Sequence, residues 1–181
     1  IGGSVGNVFL ERAAKAKDND EELGRITLEI YKKLLLVGSI ILSFITFYGD
    51  VLFPFVFGSQ WLEAGKYAQW ISIFIIFQFA ISPLTTVFSI KEKQGSGLFW
   101  QLLLFISRIS IAFFPLFGIS DALDFVRIYS LFSAFVYFLF ANKVLRMVKV
   151  RWLEIWKAII INIIPLFLIQ WGIYILLNKL F

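Results

Sequence analysis

The chain has 181 residues, of which 60% are hydrophobic, 19% aromatic and only 16% charged, with a mean hydropathy of +0.85. Soluble domains run about 45–50% apolar and about 25% charged, so this composition excludes a water-soluble globular domain and makes lipid the expected solvent. With no Cys and no His, disulfide scaffolds, thiolate chemistry, the usual zinc site and the usual neutral-pH base are excluded; no catalytic residue, metal or cofactor is expected, and the net charge of +5 must be explained by position.

Residues 1–10, IGGSVGNVFL, are too short to span a bilayer, and their small residues suit the end of a tightly packed helix. Residues 11–32 form a charged connection that reads as a cytoplasmic loop with an interfacial helix. Asp18 or Asn19 could cap that helix, with Glu21 or Glu22 at the capping-box position. Leu23, Ile26, Ile30 and Leu34 then share one face, and Glu29 and Lys33 form a favourable i,i+4 pair. A solvated linker is the alternative.

Five apolar stretches follow, over 33–56, 67–90, 97–118, 123–145 and 156–178. A helix needs about 20 apolar residues to cross a hydrocarbon core of about 30 Å. None of the five alternates apolar with polar as a barrel strand would, so the expected fold is all-α: a polytopic helical membrane bundle of five complete transmembrane helices plus the end of a preceding one.

The cations divide unevenly among the connections. Arg12, Lys15, Lys17, Arg25, Lys32, Lys33, Lys91, Lys93, Lys143, Arg146, Lys149, Arg151 and Lys157 fall on one side, and Lys66, Arg127 and Lys179 on the other. The positive-inside rule makes the basic loops cytoplasmic, so the +5 charge marks topology and not nucleic-acid binding. Tyr31, Trp100, Trp152 and Trp156 fall at the inner ends and Tyr48, Trp61, Tyr67 and Trp70 at the outer ends, as aromatic belts do, whereas Trp171 suits a core. Residue 1 is Ile, no secretory signal is present, and the C-terminus falls on the outer side. We therefore expect a piece of a larger, transporter-sized protein.

Polar residues recur at helical spacing inside the spans. Ser39, Ser43, Thr46 and Asp50 share a face of the first, and Gln78, Ser82, Thr85 and Ser89 a face of the second. Gln101 and Arg108 are seven apart in the third; Ser130, Ser133 and Tyr137 mark the fourth, and Asn162 and Gln170 the fifth. One polar face per helix is what a hydrated central cavity requires, but hydroxyls also serve close helix packing. The amides of Gln78 and Gln101 favour the cavity, because an unpaired amide in lipid is costly. Arg108 is the sharpest residue: at mid-span an arginine costs at least about 2.5 kcal/mol, so it must face protein or water with a partner. Its planar fork fits phosphate or carboxylate, which leaves an anion-binding role and an internal salt bridge open, with direct pairing to Asp50 unsettled by their different depths. Pro54, Pro83, Pro115 and Pro165 each remove a backbone hydrogen bond; Pro83 and Pro165 lie deepest and are candidates for bending as well as for static kinks.

Residues 57–70, FGSQWLEAGKYAQW, carry Phe57, Gly58, Trp61, Ala64, Gly65 and Tyr67 at the spacing FG-x2-W-x2-AG-x-Y, followed by Ser82-Pro83-Leu84. This pattern resembles bacterial polysaccharide and O-antigen flippases, of the superfamily that includes MATE-like multidrug exporters and lipid II flippases. The resemblance spans nearly the whole chain, aligned with the C-terminal half of such a transporter; Leu10-Glu11 departs from it where a proline is frequent. It implies that the chain begins at the end of the eighth helix and supplies the rest of the second six-helix lobe plus one extra helix, with the missing N-terminal lobe as partner. It further implies alternating-access flipping of an undecaprenyl-pyrophosphate-linked oligosaccharide in the bacterial inner membrane, the sugar and pyrophosphate in the polar cavity and the tail in membrane lipids. On chemistry alone Arg108 is then a pyrophosphate or cavity-charge residue, while the Trp61–Gly65 segment is structural. The lobe alone would lack one cavity wall and is expected not to transport. A multidrug cation exporter would want buried carboxylates, and Asp50 is the only acid near a span interior. A membrane polysaccharide polymerase or ligase would want a sizeable outer loop with Arg or His, and here the outer connections are short.

Overall fold

In the computed structural model, residues 2–113 and 121–180 are described, and no strand occurs among them. Helix α1, Gly2–Lys15, ends in a tight turn, and α2, Asp20–Phe57, then runs unbroken for 38 residues. At 1.5 Å per residue α2 is about 57 Å long, so the interfacial helix and the first span are one rod. Asn19, not Asp18, caps it: its side-chain oxygen accepts from the N–H groups of Glu21 and Glu22, both at 3.1 Å. Asp20, Glu21 and Glu22 occupy the first turn, where the helix dipole favours negative charge. The reciprocal arm of a capping box is not made, because the Glu22 carboxylate is taken by a two-pronged contact from Arg25 at 2.9 and 2.6 Å. Leu23, Ile26, Ile30 and Leu34 are all buried, as the shared face requires. Gly58, at φ 101°, ends the helix in a conformation open to glycine, its N–H bonding the Pro54 carbonyl at 2.9 Å.

The second expected span is interrupted. A 3-10 turn at Ser59–Trp61 leads into α3, Leu62–Ile81; a second 3-10 stretch, Ser82–Thr86, then leads into the short α4, Val87–Ile90. Pro83 has no N–H to continue the α pattern, and the hydroxyls of Thr85 and Thr86 bond back to the Ser82 and Pro83 carbonyls at 2.8 and 3.2 Å. Helix α5 covers Gln94–Ala112, α6 covers Ala122–Met147, and α7 covers Trp152–Leu180 with Pro165 inside it.

Among the described residues four helical runs are long and apolar enough to cross a membrane: α2, residues 59–90, α6 and α7. These four match the expected spans over 33–56, 67–90, 123–145 and 156–178. The expected span 97–118 begins in α5, but its last part, with Pro115, lies outside the described residues, and the 19 described residues of α5 include Arg108.

Helix α3 is central, flanked by α2 and α6; α7 packs on α2, α5 on α6, and α1 against the 82–86 stretch and α2. Helices α2 and α3 run antiparallel and touch at backbone distance: a Cβ on Gly65 would lie 2.3 Å from the Gly49 carbonyl oxygen. The fully buried side chains gather toward one end, among them Phe9, Leu23, Tyr31, Leu35, Leu84, Val87, Val144, Leu145 and Ile155. Tyr31 is therefore a core residue and not a belt anchor, because the core cluster closes over the N-terminal part of α2. Trp171 reverses the other way: it is 56% exposed, since α7 is a peripheral helix.

The same end collects the basic segments. Asp20 is bridged by Lys91 and, at 2.8 Å, by Lys149, while Lys17 meets Glu92 at 2.7 Å and Lys32 meets Glu154 at 3.9 Å. Three segments far apart in sequence are thus tied together. At the opposite end Arg127 pairs with Asp124 at 2.7 Å and lies 5.3 Å from the Trp70 ring centre.

Candidate functional site

Between the end of α3 with its 3-10 continuation, α5 and α6 lies a cleft of about 270 Å³. Its polar lining is Gln78, Ser82, Thr85, Gln101, Arg108 and Tyr137, with Ile81, Leu104, Phe105 and Phe140 as the apolar wall. Six residues singled out by spacing on three different helices therefore converge on one place. Gln78 and Ser82 are one α-helical turn apart and Thr85 follows Ser82 by one 3-10 turn, so the three arrive together; seven residues of α5, nearly two turns, bring Gln101 and Arg108 together.

Arg108 is half-buried, and one of its terminal N–H groups donates to the Tyr137 hydroxyl. The guanidinium carbon lies 5.2 Å from the Tyr137 ring centre, within cation–π range. Tyr137 is 7% exposed and is fixed from behind by Phe74, whose ring stacks on it at 6.2 Å and 8°. Phe74 in turn takes Tyr129 edge-on at 5.8 Å. Arg108 Nε is buried with no partner, and among the described residues no carboxylate lies within 4.0 Å of the guanidinium. A hydroxyl and a ring orient a cation without neutralising it. The cleft therefore presents a positioned, uncompensated guanidinium flanked by amides and hydroxyls, a donor set suited to phosphate or carboxylate oxygens.

Ser43, Thr46 and Asp50 lie elsewhere, on the seam between α2 and α3. The Thr46 and Ser72 hydroxyls are 2.7 Å apart, Ser72 donates to the Gln69 carbonyl at 2.8 Å, and the Gln69 amide donates to Asp50 Oδ1 at 3.0 Å. Ser43 is fully buried, its hydroxyl at 3.3 Å from the Ile40 carbonyl. Asp50 is thus held by Gln69 across the helix pair and not by Arg108. The seam opens at one side into a cleft of about 260 Å³ lined by Thr46, Gln69, Trp70, Trp171 and Tyr174.

Helix α3 and its 3-10 continuation carry two polar faces. Gly65, Gln69 and Ser72 face α2, while Gln78, Ser82 and Thr85 face the Arg108 cleft. Sequence reasoning missed Gln69 and Ser72 as partners, although their 4-3 spacing from Gly65 carries the same periodic signal. Ser130 and Ser133 are buried with no partner for their hydroxyls, and the Asn162 amide donates back to the Ala158 carbonyl at 2.6 Å. Among the described residues no group of three or more metal-type ligands is found.

Comparison of the chain with family models, with curated proteins and with solved structures returns no match.

Proposed function

We propose that this chain is the second lobe of a membrane flippase that moves an oligosaccharide carried on a polyprenyl pyrophosphate. The observation that carries the reading is the Arg108 cleft: a cation oriented by Tyr137, uncompensated by any described carboxylate and ringed by Gln78, Ser82, Thr85 and Gln101. Amides and hydroxyls can trade hydrogen bonds with sugar, and the guanidinium can take the pyrophosphate, while exposed apolar faces of α5 and α6 leave the tail in lipid. Such a cleft is one wall of a cavity; the other wall belongs to a preceding lobe, and rocking of the two lobes gives alternating access. The basic end then faces the cytoplasm of a bacterial inner membrane.

The test is flipping of a fluorescent polyprenyl-pyrophosphate oligosaccharide by the full-length protein in proteoliposomes. Losing charge-assisted hydrogen bonds worth about 1.5–3 kcal/mol should slow the Arg108→Gln variant by about 10- to 100-fold, with membrane insertion unchanged and partial recovery in Arg108→Lys. Undiminished flipping in Arg108→Gln overturns the assignment.

A further inference from the structure

The basic end holds a larger cleft, of about 760 Å³, lined by Lys91, Lys93, Lys143, Arg146 and Lys149 against one carboxylate, Asp20. Lys91 and Lys149 are occupied by Asp20. Lys93, Lys143 and Arg146 have no carboxylate within 4.0 Å among the described residues, so three cations converge on one cleft without compensation. The rim is held by two turns in which non-glycine residues take left-handed backbone, Glu92 at φ 54° and Lys149 at φ 59°. Each turn places a lysine on the rim: Lys93 follows Glu92, and Lys149 itself reaches Asp20.

The outward face of α6 makes the cleft more than a basic patch. Phe132, Phe135 and Leu139 are exposed by 42%, 57% and 39%, and Lys143 and Arg146 continue the same face. The spacing of 3, 4, 4 and 3 residues keeps all five on one side of the helix. That stripe is apolar for two turns and then cationic, with Lys93 across the cleft. A free phosphate would use the cations alone and leave the apolar stripe without purpose. A glycerophospholipid uses both.

We infer that this cleft binds an anionic phospholipid, its phosphate held by Lys93, Lys143 and Arg146 and an acyl chain laid along Phe132, Phe135 and Leu139. The site needs only that α6 be in a bilayer, and it stands apart from the flippase reading. The experiment is native mass spectrometry of the full-length protein after mild delipidation and exposure to phosphatidylglycerol or phosphatidylcholine. Wild-type protein is expected to retain phosphatidylglycerol preferentially. The triple variant Lys93→Gln/Lys143→Gln/Arg146→Gln is expected to retain at least about tenfold less, since each interfacial cation is worth roughly a further fivefold. A charge-matched control, Lys15→Gln/Lys66→Gln/Arg127→Gln, is expected to match wild type.

Equal retention by the triple variant overturns the site. So does equal retention of phosphatidylcholine, or displacement of bound phosphatidylglycerol by millimolar inorganic phosphate, which would mark a small-anion site. If the triple variant fails to fold, Lys143→Gln with partial loss and Lys143→Arg with recovery decide the matter. Arg108→Gln is expected to keep full lipid retention while flipping slows, so the two proposals stand or fall separately.

Discussion

The basic half of the molecule and the opposite half are built from the same helices by different means. At the basic end α1, α2, the 82–90 stretch, α6 and the start of α7 close around side chains with no exposure, such as Phe9, Tyr31, Leu84 and Leu145. Ion pairs between distant segments, from Asp20 to Lys149 and from Lys17 to Glu92, clamp that core. At the other end large apolar residues stay uncovered, Phe55 by 87% and Val51 by 63%. What holds the helices there is close backbone approach, Gly49 on Gly65, and a thread of hydroxyls and amides. One half encloses a core within the chain while still exposing apolar residues on its outer faces, such as Phe99 and Trp152. The other leaves its apolar surface for lipid or another protein surface, and association there depends on packing and hydrogen bonding.

The sharpest way to break this contrast is to truncate one phenylalanine in each half. Phe9 is wholly enclosed, so Phe9→Ala leaves a cavity and should lower stability by about 3–5 kcal/mol. Phe55→Ala removes a ring with almost no protein neighbours and should cost less than about 0.5 kcal/mol. Unfolding of both variants in the same detergent measures the difference, and equal losses would dissolve the distinction between the halves. Next in size is the glycine contact. Gly65→Ala drives a methyl into the Gly49 carbonyl, where backbone has to move, and should cost about 1–3 kcal/mol. Gly172, also helical but with nothing near its would-be Cβ, should tolerate or gain from alanine, because alanine is the better helix former by about 1 kcal/mol. If both substitutions prove neutral, α2 and α3 are not held at backbone contact.

Much of this was legible from periodicity and little of it from composition. The shared face of Gln101 and Arg108 follows from 100° per residue, that of Gln78, Ser82 and Thr85 survives the change to a 3-10 turn because three residues there make one full turn, and both faces line the same cleft. Periodicity says which residues travel together, not which neighbour they meet. Ser43, Thr46 and Asp50 show the limit: the same arithmetic unites them, yet their face meets Gly65, Gln69 and Ser72 instead of the cleft. Tyr31 failed for a related reason. An aromatic at a span end looks like an anchor until helices from elsewhere in the chain cover it, and α1 with the 82–90 stretch does so only in three dimensions. The continuity of α2 was hidden by its charge pattern, because Glu29–Lys33 looks like a boundary although no residue there breaks a helix.

The hydroxyl thread offers a finer measurement on the sparse half. The Thr46 and Ser72 hydroxyls lie 2.7 Å apart across the helices, and each also reaches a carbonyl on its own helix, Leu42 and Gln69, so that with one proton apiece whichever hydroxyl donates across gives up its own carbonyl. Those local acceptors survive loss of the partner, so neither residue becomes orphaned. The expected coupling in a Thr46→Val/Ser72→Ala double-mutant cycle is therefore small, about 0.6 kcal/mol. A coupling above about 2 kcal/mol would mean that hydrogen bonding rather than backbone contact holds this half.

The basic half makes the smallest prediction, and its sign is definite. The Lys149 and Lys91 ammonium groups lower the Asp20 carboxyl from 3.8 to about 2, the hydrogen bond from Lys149 contributing most. A carboxyl held down in the folded protein adds stability while it is ionised in both states, and that contribution fades once the folded form takes up its proton. The benefit should therefore be full above about pH 5 and decline as the pH falls from about 4 toward 2. Asp20→Asn removes the titrating group, so the difference in melting temperature between wild type and variant should narrow across that window and hold steady from pH 5 to 8. Because Asp20 is solvent-facing, added salt should also shrink the difference at neutral pH. A gap that stays constant from pH 5 down to 2 would show that the bridge from α2 to the turns at Lys91 and Lys149 adds nothing to the clamp, leaving the buried core to hold the basic half alone.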